Sequence, residues 1–154
     1  MTYPYAPAFA QMIDIEESVG RLYALCAERF PAYAGEWLAL ADDEANHAKW
    51  LRELQRAAES GAIDFDPVLF HPGLLDYIQE HIQMLTANAQ AGIYTALQAA
   101  QYSAELEKTL VEKLFFEVAL ERDIALQPTF EKLEQETRRH GERMDTLVAR
   151  ITQG

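Results

Sequence analysis

The sequence predicts an all-α protein: a four-helix bundle of two antiparallel helical hairpins, joined by a long crossover that contains a short helix. Three observations lead there. Apolar residues recur at three- and four-residue steps through most of the chain, the period of a helix with one buried face. Strand-type alternation is nearly absent. Helix breakers are scarce, with 7 glycines and 6 prolines in 154 residues.

The first helix is predicted from about Pro7 to Phe30, and the second from Pro31 to about Glu59, where Ser60-Gly61 ends it. The segment Ala62 to Gly73, with Asp64, Asp66, Pro67 and Pro72, reads as an irregular connection, followed by a shorter helix near Leu74 to Leu85 within the crossover. The third long helix is predicted over about Asn88 to Glu121, and the fourth from near Gln127-Pro128 to Ile151. The two halves resemble each other. Trp37, Leu40, His47, Leu51 and Leu54 correspond to Phe130, Leu133, His140, Met144 and Leu147 at a constant offset of 93.

At this length residues 1–154 fit one domain that can bury an ordinary core without staples. No apolar stretch approaches the roughly 20 residues of a membrane-spanning helix. The N-terminus Met1-Thr2-Tyr3-Pro4-Tyr5 has neither a basic region nor an apolar signal core, so a soluble, cytoplasmic protein is expected, with no membrane partner. The single cysteine, Cys26, excludes an intramolecular disulfide and any four-cysteine metal centre. With 25 acidic against 13 basic residues the formal charge is -12, which repels phosphate backbones, excludes nucleic acid as an expected partner and favours cations.

Each apolar row is interrupted by polar residues. Helix one presents Met12, Glu16, Val19, Tyr23, Cys26 and Phe30 on one face, so one carboxylate sits in an otherwise apolar stripe. Helix two presents Trp37, Leu40, Glu44, His47, Leu51 and Leu54. Helix three gives Ser103, Glu107, Leu110, Leu114 and Val118; helix four gives Leu126, Phe130, Leu133, Thr137, His140, Met144, Leu147 and Ile151. The midpoint of Glu16 and Glu44 is residue 30, at the Phe30-Pro31 break, and that of Glu107 and Thr137 is residue 122, within the polar Glu121-Arg122-Asp123 stretch expected to form the second turn. Each hairpin therefore places its polar core residues in one layer. Three carboxylates buried without compensation would cost several kcal/mol each, so the layer needs a cation, protons or strong hydrogen bonds. Glutamate oxygens and neutral imidazoles suit iron or manganese, and Glu44-Ala45-Asn46-His47 has the Glu-x-x-His spacing of di-metal helical bundles.

On these residues the chain resembles a rubrerythrin-type di-iron carboxylate protein of the ferritin-like superfamily, over nearly its whole length. The resemblance implies a ferritin-like bundle in which Glu16 and Glu107 are the lone glutamates of the first and third helices, Glu44 and His47 the second-helix pair, and His140 the fourth-helix histidine. Thr137 departs from the pattern, standing where the family has its second Glu-x-x-His glutamate. Four glutamates neutralise two divalent ions, whereas three leave one positive charge to be met by hydroxide, another anion or an empty second position. Glu136 is adjacent, but its row, Lys132, Glu136, Arg139 and Arg143, reads as a charged outer face.

What the resemblance implies is one or two ions, iron first and manganese or zinc as alternatives, and a non-haem iron oxidoreductase that reduces peroxide, reacts with dioxygen or oxidises ferrous iron. An external electron donor is then required, because the chain lacks a cysteine-ligated iron domain. The alternative is a non-catalytic metal-binding or scaffold bundle whose glutamates are protonated or paired with the histidines. Tyr23 and Tyr102 read as core residues, Cys26 as a buried hydrophobe too far along helix one to ligate, and His71 and His81 as crossover or surface histidines. The apolar stretches Phe65 to Phe70 and Ile93-Tyr94 are suited to a homodimer contact or to packing within the chain.

Overall fold

The computed structural model describes residues 6–62, 72–110 and 127–154, and all regular structure among them is helical. Pro31 cannot donate to a helical ladder and disfavours helical geometry at the preceding residue. Accordingly α1 (Ala6–Arg29) stops before it, Phe30 lies at φ -127°, ψ 70°, and one 3₁₀ turn, Pro31–Tyr33, leads into α2 (Ala34–Glu59). Helix α2 ends where Gly61 takes the left-handed conformation, φ 76°, so that the amides of Gly61 and Ala62 bond back to the carbonyls of Ala58 and Ala57. The first hairpin thus has the predicted limits.

The middle of the chain differs from expectation. The crossover helix α3 (Pro72–Gln90) is not short: it has 19 residues and extends past Leu85. The next helix, α4 (Ala96–Thr109), begins eight residues after the predicted Asn88. The reason is Gly92, at φ 71°, which ends α3 in the same left-handed turn, with Gly92 N–H to the Ala89 carbonyl and Ile93 N–H to that of Asn88. Thr95 then restarts the helix through a reciprocal cap: its hydroxyl accepts from the Gln98 amide while the Gln98 side chain accepts from the Thr95 amide. The last helix, α5 (Gln127–Gln153), starts as predicted and runs two residues past Ile151. The Phe65 to Phe70 stretch, His71 and the second turn expected at Glu121-Arg122-Asp123 lie outside the described residues.

Helix α1 packs along α2 and α4 along α5, while α2 also meets α5. Helix α3 lies on α1 and runs parallel to it: Gln11 bonds to Asp76 and Gln79 near one end, and Arg29 donates to the Gln90 carbonyl near the other. The chain is thereby returned to the end at which α1 finishes, and α4 starts there. The row Leu75, Ile78, Ile82, Leu85 and Ala89 of α3 is buried. At about 1.5–3 kcal/mol per fully buried aliphatic side chain, this face fastens α3 firmly against α1. Helices α2 and α5 run antiparallel, as the pairs Glu36 with Arg150, Asp43 with Arg143 and His47 with Glu136 require. The repeated rows Trp37, Leu40, Leu51, Leu54 and Phe130, Leu133, Met144, Leu147 all fall in the core. No helix among the described residues is long and apolar enough to cross a membrane.

Candidate metal centre

Glutamate in the middle of an apolar helical face is carried into the core by the helix that holds it. Glu16 of α1, Glu44 and His47 of α2, Glu107 of α4, and Thr137 and His140 of α5 are all buried, each no more than 2% exposed. All five residues expected to hold metal are thus inside. His47 is the link between α1 and α2: its Nδ1 lies 3.1 Å from Glu44 Oε2 and 3.5 Å from Glu16 Oε2. His140 does the same for α4 and α5, its Nδ1 lying 2.9 Å from Glu44 Oε1 and 3.6 Å from Glu107 Oε1. The two oxygens of Glu44 therefore face two different imidazoles. Glycine allows the helices close together at this layer. A Cβ at Gly20 would stand 3.4 Å from that of Glu44, and one at Gly141 would stand 3.7 Å from that of Glu107. Gly20, one turn beyond Glu16, is the α1 residue that meets the stem of Glu44, so the hairpin register differs slightly from reflection about residue 30.

The outer nitrogens of both imidazoles meet carboxylates that the sequence pattern did not single out. His47 Nε2 is 3.1 Å from Glu136 Oε2 on α5, and His140 Nε2 is 3.4 Å from Asp43 Oδ2 on α2. Each helix of this pair so supplies the partner for the other's histidine. Asp43 and Glu136 are themselves 93 positions apart, so they belong to the same internal repeat as His47 and His140. Glu136 is consequently not confined to an outer face: its side chain is one quarter exposed and its tip reaches inward. Tyr23 is buried like a core residue, but its hydroxyl donates to Glu107 Oε1, which joins it to the polar layer. Tyr102 is partly exposed against Tyr94, and His81 stacks on the exposed Tyr77. Cys26 is buried, and burial pushes its thiol up to about 12, as for an inert core residue.

Burial and the carboxylate of Glu44 raise Glu16 from an ordinary 4.5 to about 8. Burial also disfavours a charged His47, but its contacts with Glu16 and Glu44 outweigh that and raise it to about 11. His140, opposed by burial and favoured by Glu107 and Glu44, rises to about 10. Glu44 is disfavoured as an anion by burial and by Glu107, yet the two imidazoles prevail and hold it below its usual value. Without metal, protons therefore take the place of cationic charge in the layer.

The donor set fits a metal ion. Ligand atoms of Glu44, His47 and His140 all lie within 4.8 Å of one another. Atoms that share an ion at about 2.1 Å each can be no more than about 4.2 Å apart, so well under an ångström of adjustment would close them on it. Glu16 Oε1, Glu44 Oε1, Glu107 Oε2 and His140 Nδ1 are buried without a hydrogen-bond partner among the described residues. The short approach of His140 Nδ1 to Glu44 Oε1 is thus a close contact that is not aligned as a hydrogen bond. Buried polar atoms are rarely left unpaired; Glu16 Oε1 and Glu107 Oε2 have no hydrogen-bond partner, and Glu44 Oε1 and His140 Nδ1 have only their close ionic contact with each other, a pattern a cation would satisfy. Comparison of the chain with family models, curated proteins and solved structures finds no match.

Proposed function

We propose that the protein binds a divalent transition metal, iron first, through Glu44, His47 and His140 with Glu16 and Glu107 beside them, and that it acts as a non-haem iron oxidoreductase. The observation that carries this reading is the convergence of carboxylate and imidazole donors from four helices on one buried layer in which four ligand-type atoms lack a hydrogen-bond partner among the described residues. Support for a ferritin-like bundle of the rubrerythrin type comes from the helix directions. In them α1 and α2 form a hairpin, α3 carries the chain back along α1, and α2 opposes α5. Iron bound in such a layer supplies electron transfer and a Lewis-acid position for peroxide or dioxygen, with electrons from an external donor or from ferrous iron as substrate.

The chain's own residues have separable parts in this proposal. Glu44 faces both imidazoles and would hold the centre of the layer. Tyr23 fixes one oxygen of Glu107 and leaves the other free to ligate. Asp43 and Glu136 engage the outer nitrogens, which keeps the Nδ1 lone pairs turned inward. The apolar rows above and below, including Leu40 and Leu51, exclude water.

Metal analysis of protein grown in iron-supplemented medium, followed by peroxide consumption with an added reductant over many cycles, tests the proposal. Iron in the purified protein with repeated turnover supports it. A second reading is a metal-free scaffold in which protons on His47, His140 and Glu16 balance the carboxylates, and the raised values of all three favour it. Protein that retains no transition metal after loading, and is fully folded without it, decides for the scaffold.

A further inference from the structure

Helices α2 and α5 meet along a seam whose rim is polar. Glu36, Asp43 and Trp50 stand at seven-residue steps on α2 and face Arg150, Arg143 and Lys132 of α5 in antiparallel order. The first two contacts are ion pairs, and the third sets an ammonium group 3.9 Å from the centre of an indole ring. Both ion pairs are open to solvent, so each adds little to the hold between the helices. Arg139 belongs to the same row of α5 but forms no ion pair among the described residues.

A cleft of about 240 Å³ opens in this seam, lined by Asp43, Glu136, Arg139, His140 and Arg143. It reaches the polar layer itself. His140 is 2% exposed, its Nδ1 has no hydrogen-bond partner, and a carboxylate stands at each end of its ring: Asp43 at Nε2 and Glu44 at Nδ1. Glu136 stands likewise at Nε2 of His47, whose Nδ1 faces Glu44 and Glu16. The cleft between α4 and α5 offers no such passage, because Glu107 Oε2 behind it is buried.

We propose that a divalent cation enters the layer through the seam between α2 and α5, received first by Asp43 and Glu136, and that Arg139 and Arg143 at its mouth hold back the approach. The inference rests on the metal reading above. Asp43 precedes Glu44 in the chain, so these two carboxylates can pass the ion along the edge of a single imidazole. The formal charge of -12 gathers cations over the surface as a whole, which leaves the two guanidinium groups as a local brake. Arg143 is engaged by Asp43, whereas Arg139 is free to be changed without disturbing a contact of the layer.

Cobalt(II) is the probe, since its visible absorption reports binding without turnover. Metal-free full-length protein is mixed with cobalt in a stopped-flow instrument at about 0.1 M ionic strength, where charges more than about 10 Å apart are largely screened. Arg139→Glu should take up cobalt about fivefold faster than wild type or more, and Arg139→Gln by a smaller factor. Arg138→Glu makes the same change on the neighbouring residue, over the cleft between α4 and α5, and should stay within about twofold of wild type. Asp43→Asn should slow association, whereas a residue that only orients His140 would change release alone. Equal gains in Arg139→Glu and Arg138→Glu, no gain in Arg139→Glu, or an unchanged association rate in Asp43→Asn would each overturn the inference and leave the metal reading standing. Wild-type protein that binds no cobalt at equilibrium would overturn both. If Asp43→Asn does not fold, the comparison of Arg138 with Arg139, both exposed, decides by itself.

Discussion

His47 and His140 stack face to face, with ring centroids 5.1 Å apart and 15° between their planes, although they stand on different helices 93 residues apart in the chain. Two protonated imidazoles so placed would repel each other. The arrangement is sustained because each Nδ1 looks toward Glu44 and a second glutamate, and each Nε2 looks toward a carboxylate from the opposite helix. A metal ion bound as proposed would therefore compete with protons for the same inward lone pairs.

Metal uptake is expected to release protons. At neutral pH His47, raised to about 11, and His140, raised to about 10, hold protons on the nitrogens a metal needs. Affinity should rise steadily between pH 6 and pH 9. Calorimetric titrations in buffers of different ionisation heat measure the release directly. Binding heats independent of the buffer would contradict this account of the layer.

The metal-free protein should lose stability as pH rises. His47 and His140 have folded values above their unfolded value of 6.5, so their contribution is complete below about 6.5 and is lost as pH climbs through about 10 and 11. Glu16 acts in the same direction: its folded value of about 8 exceeds 4.5, so ionising it penalises the folded state progressively between those limits. Glu44, held below its ordinary value, matters only on the acid side, where its contribution disappears as it protonates. Thermal melts of the chelated protein at pH 6 and pH 9 should give the lower midpoint at pH 9; equal or reversed midpoints would refute the assignment.

Glu44→Ala should abolish metal binding, because this side chain faces both imidazoles. Glu136→Ala should weaken binding by about 10–100-fold without abolishing it, through lost control of His47. Dissociation constants from competition with a chelator separate the two. A Glu136→Ala protein with wild-type affinity would return that residue to the solvated face.

Tyr23→Phe should destabilise the protein by about 1–3 kcal/mol, since it removes the donor to a buried carboxylate oxygen and leaves the oxygen unpaired. Denaturant unfolding with an unchanged slope is the measurement. A loss within experimental scatter would mean that Glu107 finds another partner at no cost.

The polar layer was legible in the sequence because helical spacing determines which residues share a buried face: Glu16, Glu44, His47, Glu107 and His140 interrupt apolar rows and all end inside. Asp43 and Glu136 were not, because spacing places a stem and not a tip. A glutamate stem on a flanking face is long enough for its carboxylate to reach inward, and only the shared offset of 93 marked the pair. The break between α3 and α4 was missed for a different reason. Apolar and alanine residues continue at helical steps through Asn88 to Tyr94, which masks Gly92, while the restart signal Thr95-x-x-Gln98 is two small polar contacts that periodicity does not register.

The internal repeat is nearly faithful across Asp43/Glu136, the two histidines and the flanking apolar rows, and it breaks at Glu44/Thr137. The two halves of the polar layer are thereby unequal: on α2 a carboxylate faces both imidazoles, and on α5 an uncharged hydroxyl stands at the corresponding place. On the proposed metal reading, an ion would accordingly be drawn toward α2, where Glu44 meets both imidazoles.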